Sequence, residues 1–477
     1  METESKMKRQ GAALLAGLAV LLAVAAAGFL AGRWWMTERY PMLKDPAFAN
    51  LDYTYREIMS DYLYGADSSE LIHGAAKGMT ASLKDPYSAY YAGDEGKEYV
   101  QRYDDHIVGI GVEIREEDGE FVVTSAYKGA PAEKAGIRKD DVIVAVDGVA
   151  MKGKPMHELV SRTRGEKGTK VTVTIRRDGL TEPFDVTLVR EEIPVTTVYA
   201  EMLGNGIGKV QITRFAEGTG KEFEKAVGEL LEQGMEGLLL DLRSNPGGLL
   251  SSTLEVASRL IPKDKVILEV VYKDEKRRVT YRSTQSKAWE KPIAVLIDES
   301  SASSAEVLAA ALRDSAGAKL VGTKTFGKGV VQMFRPLRDG SVLKLTESEW
   351  LTPSGGRINN VGIEPHVAVG LPDYASLPAL PTDEVLKEGS LGQDVRTAEL
   401  MLEAIGYDPG EPEGIYDGRT AAAVERFQRD ERLTPTGTIS GRTAFKLMDR
   451  LRTKLKEEDP QLQEAVRTLR GMMDGGN

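Results

Sequence analysis

The chain has 477 residues, 41% hydrophobic and 28% charged, which suits a globular protein of about three domains. Its 62 basic and 73 acidic residues give a formal charge of −11, which argues against a protein that lives on nucleic-acid backbones. Cysteine is absent, so thiol catalysis, disulfides and cysteine-rich metal sites are excluded, and the only histidines are His73, His106, His157 and His366.

In chain order, residues 1–10 carry Lys6, Lys8 and Arg9, and Gly11–Gly32 follows as a 22-residue run without a charge. As a helix it would reach roughly 33 Å, enough to cross a hydrocarbon core of about 30 Å. The flanking cations place residues 1–10 in the cytoplasm and the remainder outside. A cleaved signal peptide is the competing reading, and Ala23–Ala27 offers small residues for cleavage. The length of the run and the interfacial Arg33-Trp34-Trp35 favour a retained transmembrane anchor over 11–32.

Residues 46–104 read as a helical segment, with apolar residues three and four apart in Tyr53–Leu63 and Ser68–Leu83. Residues 105–190 read as a small β-rich domain, with short β-branched runs at Val108–Ile114, Phe121–Val123, Val142–Val146 and Val171–Ile175. Over 191–370 strands alternate with helices, as in a mixed α/β layer. The expected elements are strands Gly208–Ile212, Gly237–Leu242 and Ile293–Ile297 and helices Lys221–Gln233, Leu249–Ile261 and Ala305–Asp314. A Pro-rich linker spans 371–385, a compact all-α segment 386–450, and a charged tail 451–477, helical at first and frayed at Gly475-Gly476-Asn477.

Three segments carry the chemistry. The strand Ile293–Ile297 runs into Ser300-Ser301-Ala302-Ser303-Ser304, and a helix begins at about Ser304. A serine on such a bend presents its hydroxyl at a helix N-terminus, whose free amides suit an oxyanion. Serines at helix starts are also ordinary N-caps. Asp241-Leu242-Arg243-Ser244-Asn245-Pro246-Gly247-Gly248 joins another strand to another helix, and its Gly-Gly pair lets backbone amides approach a ligand. Phe326-Gly327-Lys328-Gly329-Val330-Val331-Gln332 places a lysine between glycines at a strand entrance.

Together, over about residues 50–370, these segments resemble the carboxyl-terminal processing (tail-specific) peptidases, a family of Ser–Lys serine proteases. The resemblance implies that Ser303 is the nucleophile, Lys328 the general base and Gln332 the residue that orients the lysine. It also implies an oxyanion hole made by the backbone amides of Gly247 and Ser304. A free lysine titrates near 10.4 and is no base at neutral pH, whereas burial away from carboxylates favours its neutral form. Lys328 and Gln332 are an even number of positions apart, which on a strand would put both on one face. The sequence departs from the family pattern at Ser304, usually alanine, at Trp350, usually tyrosine, and at His366, usually aspartate.

Residues 105–190 resemble a PDZ domain, through Val108-Gly109-Ile110-Gly111-Val112, Gly129–Ile137 and Val146-Asp147-Gly148, with Asp140 in place of a usual glycine. That resemblance implies a peptide strand added to a sheet edge, its carboxylate held by the amides of Ile110, Gly111 and Val112. Arg162 and Arg164 are candidates for gating, with solvated surface charge as their alternative. Residues 386–450 resemble a peptidoglycan-binding module through Gly389–Val395, Gly414–Thr420, Ala423–Gln428 and Gly437–Thr443.

The expected architecture is an α/β protease core with an inserted β-rich PDZ domain, an N-terminal transmembrane helix and helical segment, and a small all-α C-terminal module. The expected function is a bacterial, single-pass, PDZ-regulated serine endopeptidase. It would act on extracytoplasmic proteins with exposed C-termini through an acyl-enzyme, bind peptidoglycan, and use neither cofactor nor metal. A homodimer is a family expectation. A non-catalytic envelope scaffold is the rival reading. A peptidoglycan hydrolase is a second rival, but it would need zinc ligands, paired acids or a cysteine that the sequence does not display.

Overall fold

The computed structural model describes residues 2–101, 106–117, 119–286 and 289–475, with side chains at 2–16, 19, 97, 98, 100 and 101 left aside. Helix α1 (Glu2–Arg39) is continuous. It overruns the expected 11–32 at both ends because neither proline nor glycine interrupts 2–10 or 33–39, and Pro41 follows. Its Val20–Arg39 stretch is long and apolar enough to cross a membrane. Helices α2 (Phe48–Asp61) and α3 (Ser68–Ala81) bury none of their residues. Asp67 caps α3 by accepting the Ser69 and Glu70 amides at 2.8 and 3.0 Å. Then come β1 (Ala89–Tyr91) and α4 (Gly93–Gln101).

The β-rich region comprises β2 (His106–Gly109), β3 (Val112–Glu117), β4 (Glu120–Ala126), α5 (Pro131–Lys134), β5 (Val142–Val146), β6 (Val149–Ala150), α6 (Met156–Thr163), β7 (Lys170–Arg176), β8 (Phe184–Val189) and β9 (Glu191–Pro194). The expected single strand Val108–Ile114 is two, because the chain turns at Ile110–Gly111. β2 pairs antiparallel with β9, His106 opposite Pro194, so the region leaves and rejoins the chain through one ribbon. The sheet runs β3-β4-β5-β7-β8, which leaves β3 at an edge.

The core comprises β10 (Val198–Gly204), β11 (Ile207–Ile212), α7 (Thr219–Glu232), β12 (Gly237–Asp241), α8 (Leu250–Leu260), β13 (Val266–Tyr272), β14 (Arg278–Arg282), β15 (Ile293–Ile297), α9 (Ser304–Ala316), β16 (Lys319–Gly322), β17 (Val330–Pro336), β18 (Val342–Leu351) and β19 (Val367–Ala368). One sheet has the order β10-β11-β12-β15-β16-β19, parallel from β11 onward. Every residue of β12 and β15 is buried, as expected for parallel strands covered on both faces. Leu238, Leu240, Val295 and Ile297 meet α7–α9, while Leu239, Ala294 and Leu296 face the opposite side. A second sheet pairs β1, β18, β13 and β14, with β17 on β18.

The C-terminal helices are α10 (Gln393–Ala404), α11 (Gly418–Asp430), α12 (Gly441–Glu457) and α13 (Pro460–Met473). The first three enclose a core that includes Val395, Leu402, Tyr416, Phe427 and Leu447. The tail, expected to be helical at first, forms α13, and its docking was not expected: Ala465 and Leu469 are buried against Ile207, Leu239, Leu296 and Val321. Its charges mask an apolar stripe (Leu462, Ala465, Val466, Leu469, Met473) at helical spacing. Gly476 and Asn477 lie outside the described residues.

Candidate active site

β12 and β15 are parallel neighbours, Asp241 opposite Leu296, so the two loops leaving their C-terminal ends meet. Asp298 and Ser301 brace them. Asp298 accepts the Ser244 amide at 2.9 Å, and the Ser301 hydroxyl reaches the Leu242 carbonyl at 2.8 Å. These bonds sort the serines of the turn. Ser300 is exposed, Ser301 is buried and structural, and Ser304 is buried with its hydroxyl on the Gly248 carbonyl at 2.9 Å. Ser303 remains, half-buried at the N-cap of α9, with φ 54° and ψ −116°. A non-glycine residue held there carries about 1–3 kcal/mol of strain, a conformation that clusters at functional turns.

Glu306 holds that turn. Fully buried, its carboxylate accepts Ser303 N–H and Lys328 N–H on Oε2, each at 2.8 Å. On Oε1 it accepts Gly327 N–H at 2.8 Å and the Thr325 hydroxyl at 2.6 Å. One side chain thus ties the backbone of Ser303 to that of Lys328, and the buried charge has four donors around it. The glycine before the lysine is required by shape. Gly327 has φ 91°, and a Cβ there would lie 2.9 Å from the Gly362 amide. Trp350, flagged only as a departure from the family pattern, is 2% exposed and donates from Nε1 to the Lys328 carbonyl at 3.0 Å.

Lys328 Nζ sits 4.9 Å from the centre of the Tyr87 ring. Burial, aided by the like charge of Lys344, pushes the amine down to about 8, against the opposing pull of Asp85 and Glu306. Burial also raises the Tyr87 phenol, with Glu306 and Asp85 adding to it. Asp85 accepts the Tyr87 amide at 3.0 Å and the Ser88 hydroxyl at 2.6 Å, and Ser88 Oγ accepts the Thr346 amide at 3.0 Å. Residues 85–88 therefore wall the lysine from the N-terminal segment. Sequence reading missed them, and the only signal was the turn-forming Asp85-Pro86 just after the periodic run Ser68–Leu83.

Two expectations change. Lys328 precedes β17, and a register shift between Val331 and Gln332 interrupts the ladder, so the shared-face argument for Gln332 does not apply. Its amide instead donates to Thr346 Oγ1 at 3.2 Å. The Gly247 amide is occupied too, donating to Asn245 Oδ1 at 2.8 Å in a tight Asx turn. Gly247 still lies against the serine turn, since a Cβ on it would meet Ser303 Cβ and Ser304 N at 2.9 Å.

In the β-rich region, Ile110, Gly111 and Val112 lead into the edge strand β3, and Gly109 packs beside Thr163 and Arg164 at the end of α6. Arg162 pairs with Glu158 at 3.1 Å and Arg164 is the C-cap residue of α6. Among the described residues neither forms a hydrogen bond or ion pair with Ser303, Lys328 or Gln332. Arg190, which sequence reading passed over, clamps the end of α6 by donating to the Arg162 and Thr163 carbonyls at 2.7 and 3.2 Å.

Family models match along the chain in the same order. They are the Activating protease CtpB N-terminal domain (36–95), the PDZ domain (122–177), Peptidase family S41 (206–369) and a putative peptidoglycan binding domain (392–447). The chain is 42% identical over 429 residues to the carboxy-terminal processing protease CtpA of Bacillus subtilis, covering 90% of this chain and 91% of that one. To CtpB of the same organism it is 37% identical, covering 89% and 90%. Among solved structures it resembles a photosystem II D1 C-terminal processing protease, with TM-score 0.42 and 29% identity over 71% of this chain and 92% of that one. Long identity to these relatives and the S41 match across the Ser303–Lys328 region place the chain in peptidase family S41, as a serine-type carboxy-terminal processing peptidase.

Proposed function

We propose that this peptidase is a membrane-anchored, PDZ-regulated endopeptidase that cleaves extracytoplasmic proteins through an acyl-enzyme. The observation that carries the mechanism is Glu306, which joins the strained Ser303 turn to a lysine whose amine burial holds near 8. Neutral Lys328 takes the Ser303 proton as Oγ attacks the scissile carbonyl. The resulting ammonium then protonates the leaving amine, and Lys328 activates water to release the acyl group. The Ser304 amide, at the first turn of α9, is the primary oxyanion donor. The Gly247 amide joins it when its bond to Asn245 opens. Gln332, now on Thr346, orients the lysine only after a side-chain rotation.

The exposed edge of β3 and the preceding Ile110–Val112 turn suit capture of a substrate C-terminus by strand addition. The apolar stretch of α1 and the peptidoglycan-binding match support a cell-envelope location, with the catalytic part outside a single membrane span. Tyr53, Leu63, Tyr64 and Ile72, exposed on and around α2 and α3, offer a surface for a homodimer. The test is turnover of casein or a peptide by the full-length protein in detergent. Ser303→Ala and Lys328→Ala should each abolish it with folding intact, and cleavage at the wild-type rate in either variant would refute the dyad.

A further inference from the structure

Helix α13 lies beyond the segments matched by the S41 and peptidoglycan-binding models, yet it is built into the protease. Its stripe covers the face of the parallel sheet that α7–α9 leave open, and Ala465 and Leu469 are fully buried there. At its first turn, Asp459 accepts the Leu462 amide at 2.9 Å and so caps the helix. The same carboxylate lies 2.8 Å from Arg243 Nη1. Gln461, 1% exposed, accepts from Arg243 Nη1 at 3.1 Å and donates to the Val369 carbonyl at 2.9 Å. Asp241 takes the rest of the guanidinium, with Nε at 3.0 Å and Nη2 at 2.8 Å.

Arg243 opens the loop that faces the serine turn. Ser244, next in the chain, has φ 57° and its amide on Asp298. Asn245 is fully buried and holds three things at once: the Ile212 carbonyl, the Gly247 amide and, through its own carbonyl, the Ala302 amide. A continuous path therefore runs from the start of α13 through the Arg243 ion pair, the 243–245 backbone and the Asn245–Ala302 hydrogen bond to the residue before Ser303. A rigid fork held by two carboxylates has one geometry, so the loop behind it inherits that geometry.

We propose that Asp459 and Gln461 are positioning residues for catalysis. They clamp Arg243 and so set the 244–248 loop against the Ser303 turn, although α13 touches no substrate. The proposal rests on the Ser303–Lys328 reading. The decisive variant is Asp459→Asn in the full-length protein, because asparagine still caps a helix but carries no charge. Its kcat on a peptide substrate should fall roughly tenfold with KM within about twofold, as for small misplacements remote from the chemistry. Asp459→Glu should recover most of that loss, and the melting temperature of either variant should move by only a few degrees. Wild-type kcat in Asp459→Asn, or a loss that merely tracks the folded fraction by circular dichroism, overturns the clamp. If Asp459→Asn yields no folded protein, Gln461→Leu decides. A loss in kcat of about threefold at constant KM supports the clamp, and unchanged kcat overturns it. Ser303→Ala is run alongside: residual turnover there defeats the Ser–Lys reading itself, whereas an inactive Ser303→Ala beside an unaffected Asp459→Asn defeats only the clamp.

Discussion

Replacing Glu306 by glutamine tests the centre of the site. The carboxylate accepts four hydrogen bonds between 2.6 and 2.8 Å, two on each oxygen. An amide offers one oxygen, so in either orientation two donors lose their acceptor and face N–H groups instead. Charge-assisted bonds are worth about 1.5–3 kcal/mol each, a gross loss of about 3–6 kcal/mol. Removing a buried charge returns part of this, leaving about 2–4 kcal/mol of destabilisation. Urea unfolding of Glu306→Gln beside the parent protein reads that number. In the folded fraction, kcat should fall on the order of a hundredfold, because the Ser303 and Lys328 backbones lose their common anchor. The pH profile carries a separate signature. Glu306 pulls the Lys328 amine upward, so without its charge the rising limb of kcat/KM should move below the parent midpoint of about 8. A stability loss under about 1 kcal/mol with unchanged kcat refutes the anchoring role, and an upward shift of the limb refutes the electrostatic one.

In the parent protein, an amine near 8 that must be neutral to act gives a kcat/KM that rises roughly tenfold between pH 7 and 9. A profile flat across that interval would show that Lys328 is not the base. Lys344→Gln removes a like charge that lowers the amine, so the same limb should shift to higher pH, and an unmoved midpoint counts against that coupling. Leu469→Ala empties a fully buried position between α13 and the sheet and should cost about 2–5 kcal/mol in urea unfolding. A cost within error of zero would mean that α13 adds nothing to the core.

Much of the fold was legible wherever local pattern and burial agree. The apolar run Ile293–Ile297 is β15 residue for residue, and α7, α8 and α9 lie within two or three residues of their expected bounds. There the sheet is covered on both faces, and strong periodicity reflects strong burial. Ser303 and Lys328 were singled out through the family resemblance of the segments that bear them, since a serine at a helix start is otherwise an ordinary N-cap. Their supports were not, because each is a contact between distant segments: Tyr87 reaches Lys328 from before the β-rich insertion, and Trp350 from β18. Gln332 and Gly247 show a different limit. Parity along a strand and a Gly-Gly pair say where groups can point, but competing partners, Thr346 and Asn245, decide where they do point. The helical start of the tail was read but its docking was not, because Leu462, Ala465, Val466, Leu469 and Met473 are spread at helical spacing through a charged segment, and what they pack on is distant in the chain.

The closure of the sheet by α13 also sets a timetable for synthesis. Arg243 and Asp459 are 216 positions apart, an interval that takes roughly 10–40 s to translate. Asp241 is made together with Arg243, whereas Asp459 and Gln461 follow only after the rest of the core and helices α10–α12. If the clamp sets the loop beside Ser303, a chain whose synthesis has not reached Asp459 holds its serine and lysine but not the contact that aligns them. The full catalytic rate then arrives only with α13, well after the serine and the lysine have been made. A polypeptide truncated before Asp459 would be left with an uncovered sheet face and a poorly set active site, a product more suited to degradation than to cutting its neighbours.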